Sequence, residues 1–222
     1  MEIKVKGMRK IISQRMSESW HTSPRVVFTL SVDMTKVQAY LERVNEGVND
    51  KLQKVTLNHV LMKVCAEAMK EYEYVNGSID DENIILHETI NIGLAVAVEN
   101  GLIVPNVKDI GSKDIKTIAA ECNNVVARAR ENKITMDDIT GGTFTISNLG
   151  MMGIESFSPI INQPEAAILG VNKITPTPVV IGGEIAVRPM MNLNLVADHR
   201  IMDGAYAAGY LRRVKDLLET TE

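Results

Sequence analysis

A two-layer α/β (α+β) sandwich on a mixed sheet is the fold class that the sequence predicts. Three observations predict it. Segments of helical period lie between clusters of strand-period segments, the strand clusters carry hairpin signals, and no regular βαβ alternation runs along the chain. At 222 residues and 45% hydrophobic composition the chain can bury a real core. No Gly/Ser-rich or Pro/Ala-rich linker and no internal repeat divides it, so residues 1–222 read as one domain.

Taken in order, residues 8–19 read as a short amphipathic helix. RVVFTLSVDM follows as an alternating strand with Val27 and Leu30 among its core-facing positions. A second helix is expected from Thr35 to Asn49. In TLNHVLMKVCAEAMKEY the positions Leu57, Val60, Leu61, Val64, Ala68 and Met69 recur at helical spacing behind a capping Thr56, which predicts a buried helix. The extended segments NIILHE, INIGLAVAV and LIVPNV come next, the last two joined by Glu99-Asn100-Gly101, where Asn-Gly signals a hairpin. A long helix then draws Ile115, Ile118, Ala119, Cys122, Val126 and Ala129 into one apolar stripe, with Ser112 placed to cap it. Strands return as GTFTISN, AAILGVN, PVVI turning at Gly182-Gly183 into EIAV, and MMNLNLVADH. The final helix, GAYAAGYLRRVKDLLE, packs through Tyr210, Leu211, Val214, Leu217 and Leu218.

Composition excludes several classes of function. A net charge of −4 lacks the basic excess of a phosphate-backbone binder, so no nucleic-acid partner is expected. Cys65 and Cys122 stand far apart without a CxxC spacing, which predicts neither a disulfide framework nor a thiolate metal site and suits a reducing compartment. The N-terminus has no secretory h-region. The most apolar stretch, INIGLAVAVENGLIVPNV, is broken by Glu99, Asn100, Gly101 and Pro105, so no membrane span is expected. The reading is a soluble intracellular protein. Asn76-Gly77-Ser78 and Asp80-Asp81-Glu82 read as turns, the pairs Met151-Met152 and Met190-Met191 as core filler, and His21, His59 and His87 as scattered.

Three residues can carry chemistry. In MMNLNLVADH a period of two places Leu193, Leu195, Ala197 and His199 on one face and Asn192, Asn194 and Asp198 on the other. His199 would therefore follow the apolar residues inward, and desolvation would keep its ring neutral, the state a general base needs. The plainer alternative is a core histidine satisfied by backbone carbonyls. Asp203 stands at the start of the last helix as an N-cap, a role compatible with an ion pair for which Arg9 and Arg15 are candidates. Ser147 lies at a strand end before the Asn148–Gly150 turn. Thr145 occupies the first glycine position of GxSxG, so Ser147 is no nucleophile elbow, yet its hydroxyl can donate to an oxyanion.

TISNLGMMGIESFSPIINQPEAAILGV and RPMMNLNLVADHRIMDGAYAAGYLRRVKDLLE together resemble the catalytic domain of the dihydrolipoamide acyltransferases, core subunits of 2-oxo acid dehydrogenase complexes. GMRKIISQRMSESWHTSPRVVF, NIGLAVAVENGLIVPNVKD and GGTFTISNLG extend the likeness over essentially the whole chain, whereas HxxxDG alone is shared with chloramphenicol acetyltransferase. The resemblance implies a chloramphenicol acetyltransferase-like fold. It implies acyl transfer between a dihydrolipoyl thiol and that of coenzyme A, with no metal. His199 falls on the family's catalytic base, Ser147 on its oxyanion donor and Asp203 on the motif's aspartate, which maintains the site. A thiol of pKa about 8.5 is only a few per cent thiolate at neutral pH, so a positioned base contributes roughly 100-fold to 10,000-fold.

Further implications concern assembly. The family forms homotrimers with the active site in a channel between subunits, and some assemble into 24-mer or 60-mer cages. Partners are the lipoyl domain, a decarboxylase and a dihydrolipoamide dehydrogenase, in the cytoplasm or the mitochondrial matrix. The lipoyl and subunit-binding domains do not occur in this sequence. SNLGMMGIESF is most like acetyl-transferring members of pyruvate or acetoin complexes. Two other readings remain open: a chloramphenicol-type acyltransferase, and an assembly scaffold without useful catalysis.

Overall fold

The computed structural model describes residues 2–80, 82–99 and 101–222. Its elements run α1 (Met8–Thr22), β1 (Arg25–Asp33), α2 (Thr35–Val44), α3 (Leu57–Met69), β2 (Gly77–Ile79), β3 (Ile84–Leu86), β4 (Ile92–Leu94), β5 (Val96–Val98), β6 (Gly101–Ile103) and β7 (Asn106–Val107). There follow α4 (Ile115–Arg130), α5 (Met136–Ile139), β8 (Phe144–Asn148), β9 (Ala167–Ile181), β10 (Glu184–Asp198) and α6 (Gly204–Glu219). Six strands form one mixed sheet in the order β1-β10-β9-β8-β4-β7, with β9–β8 and β8–β4 parallel and the other pairs antiparallel. The two-layer mixed-sheet sandwich is the architecture the periodicities predict.

Alternation along each strand sorts the sheet into two unlike faces. Phe144 and Ile146 of β8, Leu169 and Val171 of β9, and Leu193 and Leu195 of β10 are fully buried on one face, under α3, α4 and α6. Their burial supplies the main drive to fold, roughly 2 kcal/mol for each large apolar side chain. The opposite face holds a small apolar cluster of Ile161, Ile168 and Val196, beneath the segment that links β8 to β9. Glycine at 170 lets that segment approach, since a Cβ there would meet Phe157 and Pro159 at 3.2 Å. The Ser19 hydroxyl ties α1 to the same segment by donating to the Ile161 carbonyl at 2.7 Å.

Several expectations change in the structure. The inward face of β1 is Val26, Phe28, Leu30 and Val32, which pair in register with Ala197, Leu195, Leu193 and Met191, while Val27 is 42% exposed. Val27 and Leu30 are three apart, so a pleated strand cannot turn both inward. α2 stops at Val44 rather than Asn49, because Asn45 turns back to bind the Leu41 and Val55 carbonyls and the Val55 amide. The cap of α4 is Asp114, whose carboxylate accepts from the Thr117 amide at 2.7 Å; the Ser112 hydroxyl donates instead to Asp109. The separate segments AAILGVN and PVVI form one continuous β9. Its Pro176 and Pro178 lie beyond the stretch where β8 pairs with it, so their missing N–H groups break no second ladder. The turn into β10 is Gly182-Gly183, with φ of 59° and 90°, both in the region that favours glycine.

β5 and β6 pair as a two-stranded ribbon, Val98 opposite Gly101, as the hairpin signal predicts, although Asn100 itself lies outside the described residues. Asp81 of the acidic turn does so too. Asn76 is buried and donates to the carbonyls of His87 and Thr89, so the sequon amide is not at the surface. Met151 and Met152 are exposed rather than core filler.

Candidate active site

Ser147 sits in β8 on the face turned away from the helices, half-buried, in a cross-strand row with Gly170, Asn194 and Thr29. That face is polar by design of its alternation. Asn194 donates to the Thr29 and Ser156 hydroxyls at 2.7 and 3.2 Å and accepts from Asn172 at 2.5 Å. Directly after Ser147, the Asn148 side chain accepts from the Gly150 amide and donates to Asn58 at the start of α3, which locks the strand end and its turn.

Two residues before Ser147 on the same face, the Thr145 hydroxyl donates at 2.6 Å to Glu165, a carboxyl only 2% exposed. Asn162 donates to its other oxygen at 2.8 Å. Burial pushes the Glu165 carboxyl up to about 7, partly offset by the Thr145 and Asn162 hydrogen bonds and by the Arg15 charge. The sequence reading passed over Glu165. Its signal was a lone acid at the head of the apolar run AAILGV, which alternation alone cannot distinguish from a surface turn.

His199 does not continue inward. β10 ends at Asp198, and His199 stands in the following turn, exposed, its backbone amide donating to the Pro24 carbonyl at 2.9 Å. The buried residue there is Asp198, fully inaccessible, whose backbone carbonyl accepts from the Ile201 and Met202 amides and so turns the chain away from the strand. The desolvated imidazole of this protein is His59 instead. It is 2% exposed in α3, its Nδ1 accepts from the Thr56 amide, and burial pushes its pKa down to about 4.

Asp203 is the N-cap of α6, accepting from the Tyr206 amide at 2.9 Å, and it is exposed. The expected ion pair does not form with the proposed arginines: among the described residues neither Arg9 nor Arg15 makes a salt bridge, and Arg15 acts on Glu165. A flexible side chain on α1, far from α6 in sequence, gave no local signal of where it would point.

Register sets the distance between Ser147 and His199. Ser147 is level with Asn194, two strands away, and His199 lies five residues beyond Asn194. At about 3.4 Å per residue and about 4.8 Å between strands, they are roughly 20 Å apart within one chain. One copy therefore offers a hydroxyl donor on a polar sheet face and an accessible imidazole at the sheet's end, and these cannot act on one carbonyl unless a second copy is apposed. Both thiols are unavailable as nucleophiles, because burial pushes Cys65 and Cys122 up to about 12. Among the described residues no His, Cys, Asp and Glu cluster could hold a metal, and no helix is long and apolar enough to cross a membrane.

Comparison with known proteins shows the family. Residues 1–222 match the family described as 2-oxoacid dehydrogenases acyltransferase (catalytic domain). The dihydrolipoyllysine-residue acetyltransferase component of the pyruvate dehydrogenase complex of Rickettsia bellii is 36% identical over 96% of this chain and 51% of its own length. The corresponding component of the acetoin cleaving system of Bacillus subtilis is 36% identical over 98% and 55%, and the lipoamide acyltransferase component of its branched-chain alpha-keto acid dehydrogenase complex 39% over 100% and 53%. The chain spans about half the length of these curated relatives.

Two solved structures, each 34% identical with a TM-score of 0.93, cover 99% of this chain and 91% of theirs. One is the cubic core of the pyruvate dehydrogenase multienzyme complex. The other is dihydrolipoamide acetyltransferase of Azotobacter vinelandii, from work on the role of a serine, a histidine and an asparagine in its catalytic mechanism. Chloramphenicol acetyltransferase shares the fold, with a TM-score of 0.59 at 16% identity over 98% of this chain and 99% of that one. A family match from end to end, with relatives at more than a third identity across nearly all of the chain, shows that it belongs to the 2-oxoacid dehydrogenase acyltransferases, as their catalytic domain.

Proposed function

We propose that this domain transfers an acyl group, acetyl in the first instance, between a dihydrolipoyl thiol and coenzyme A, in a site completed by a second copy of the chain. One observation carries the reading. Ser147, His199 and Asp203 stand at the same intervals along this chain as the serine, histidine and asparagine of the Azotobacter vinelandii enzyme stand along theirs, on a superposable fold. His199 takes the proton from the attacking thiol, because a thiol of pKa about 8.5 is a poor nucleophile until deprotonated. The thiolate adds to the thioester carbonyl. The Ser147 hydroxyl donates to the resulting oxyanion, a donor whose removal typically costs about 3 kcal/mol. Collapse of the tetrahedral species expels the second thiolate, and the imidazolium returns the proton to it.

The separation of Ser147 and His199 within one chain supports a site shared across an interface, with His199 from one subunit and Ser147 from the next. That apposition would also supply the desolvation His199 lacks in a single copy. The family resemblance makes that assembly a homotrimer, served by a lipoyl domain and by decarboxylase and dihydrolipoamide dehydrogenase components, with a 24-mer or 60-mer cage as the larger form to be tested by subunit count. Asp203 keeps its cap of α6, which holds the end of the His199 turn. Here it is an acid where the Azotobacter enzyme has an asparagine.

Acyl transfer from a panel of acyl-CoA donors to free dihydrolipoamide tests the reading, with light scattering on the same sample to give the subunit count. Thioester formation fastest with acetyl-CoA by a trimer or larger assembly is the expected result. Preference for a branched acyl donor would move the chain toward the branched-chain members. Transfer to a hydroxyl acceptor, or no turnover, would reject the assignment.

A further inference from the structure

We propose that Asp198, acting through Arg200, is the positioning residue for His199. The inference rests on the acyl-transfer reading for its consequence but on geometry for its existence. Asp198 is the last residue of β10, 0% exposed, and it precedes His199 directly. Its carboxylate accepts the Arg200 backbone amide at 3.0 Å and the guanidinium through Nε at 3.1 and 3.3 Å and a terminal nitrogen at 2.7 Å. A charge at that depth persists only when it is paired and hydrogen-bonded. Its backbone carbonyl takes the Ile201 and Met202 amides while its own amide donates to Ala166, so the residue is held on both sides.

His199 is thereby suspended between two fixed points. Its amide is bound to Pro24 and its neighbours on either side are joined by the Asp198–Arg200 ion pair, which leaves the imidazole presented from a rigid loop rather than from a frayed strand end. Other charges around the turn are engaged elsewhere. Arg25, opposite Asp198 on β1, lies over the Trp20 ring, and Asp203 on α6 accepts from Tyr206. A carboxylate and a guanidinium together are neutral, so either one alone would bias the imidazole's proton in an opposite direction.

Asp198→Asn and Arg200→Met in the assembled protein test this, by kcat, by the KM for CoA and by the pH profile. Asp198→Asn leaves the Arg200 cation uncompensated and disfavours the imidazolium. Turnover should fall at least about tenfold with the KM for CoA within about twofold, and the acidic limb should move down by about half a pH unit. Arg200→Met leaves the carboxylate and should move the limb up. Unchanged turnover and an unmoved limb in both variants would overturn the proposal. Arg200 has a 37% exposed side chain, so its replacement keeps the test open if Asp198→Asn fails to fold. Should the unaltered protein transfer no acyl group, the enzymatic reading falls on its own. The His199 ring titration followed by NMR then decides the positioning claim, with opposite displacements in the two variants supporting it and none rejecting it.

Discussion

The two faces of the central sheet are made by the same strands and do different work. One face, Phe144, Ile146, Leu169, Leu193 and Leu195, is uniformly apolar and sealed by helices. The other carries Thr145, Ser147, Asn172 and Asn194, borders a buried glutamate and has a small buried apolar cluster of Ile161, Ile168 and Val196. Side chains on the first face are interchangeable within the limits of volume, since burial is non-directional. On the second each polar group needs its own partner, so position matters more than area. The packed core and the candidate site are thus separated by a single residue's shift along a strand.

The comparison breaks most visibly at His199, which stands where the polar face runs out. His199→Ala should lower acyl transfer by about 100-fold to 10,000-fold while the thermal midpoint and subunit count stay as they were. Near-normal turnover would move the chemistry away from this end of the sheet. On the apolar face, Phe144→Ala should reduce unfolding free energy by about 3–5 kcal/mol, read by denaturant titration. A loss well below 1 kcal/mol would mean that the helix-covered face is not where stability resides. Ser147→Ala, one pleat from Ile146, should do the reverse, costing about 100-fold in kcat with CoA affinity and stability little altered.

Glu165 sharpens the contrast through pH. Its carboxyl is raised in the folded state to about 7, so the folded protein holds that proton more tightly than the unfolded chain does. Its contribution to stability is fully present below the ordinary carboxyl range near 4.5 and is lost as pH rises through about 7. Glu165→Gln should flatten this decline, of the order of a few kcal/mol, in melts from pH 4.5 to 8. An unchanged slope would show that Glu165 titrates normally. The smallest effect belongs to Asp203→Ala, a lost helix cap of about 1 kcal/mol, which Asp203→Asn should preserve because asparagine caps equally well. Equal losses in both variants would show that charge, not the cap, matters there.

Local periodicity determined most of this protein. α3, α4 and α6 are set by apolar residues three and four apart, and α6 spans Gly204–Glu219 as expected, behind the Asp203 cap. The division of β8 into Phe144 and Ile146 on one side and Thr145 and Ser147 on the other follows from the two-residue repeat. His199, Ser147 and Asp203 are proposed as the site because motif residues of a known family fall on them, not because spacing alone demands a site.

Only tertiary structure decided the rest, since the deciding partners are distant in sequence. Alternation continued through Asp198 would bury His199, but the distant Pro24 and Ala166 carbonyls, together with the neighbouring Arg200, end the strand, expose the imidazole and bury the aspartate instead. The Arg15 charge on α1 acts on Glu165, 150 residues away in sequence, and among the described residues forms no salt bridge to Asp203. Strand order and register put Ser147 and His199 roughly 20 Å apart within one chain. Short-range spacing encodes which way a side chain points; which groups meet depends on loop closure and packing across the whole fold, a sum that no local window contains.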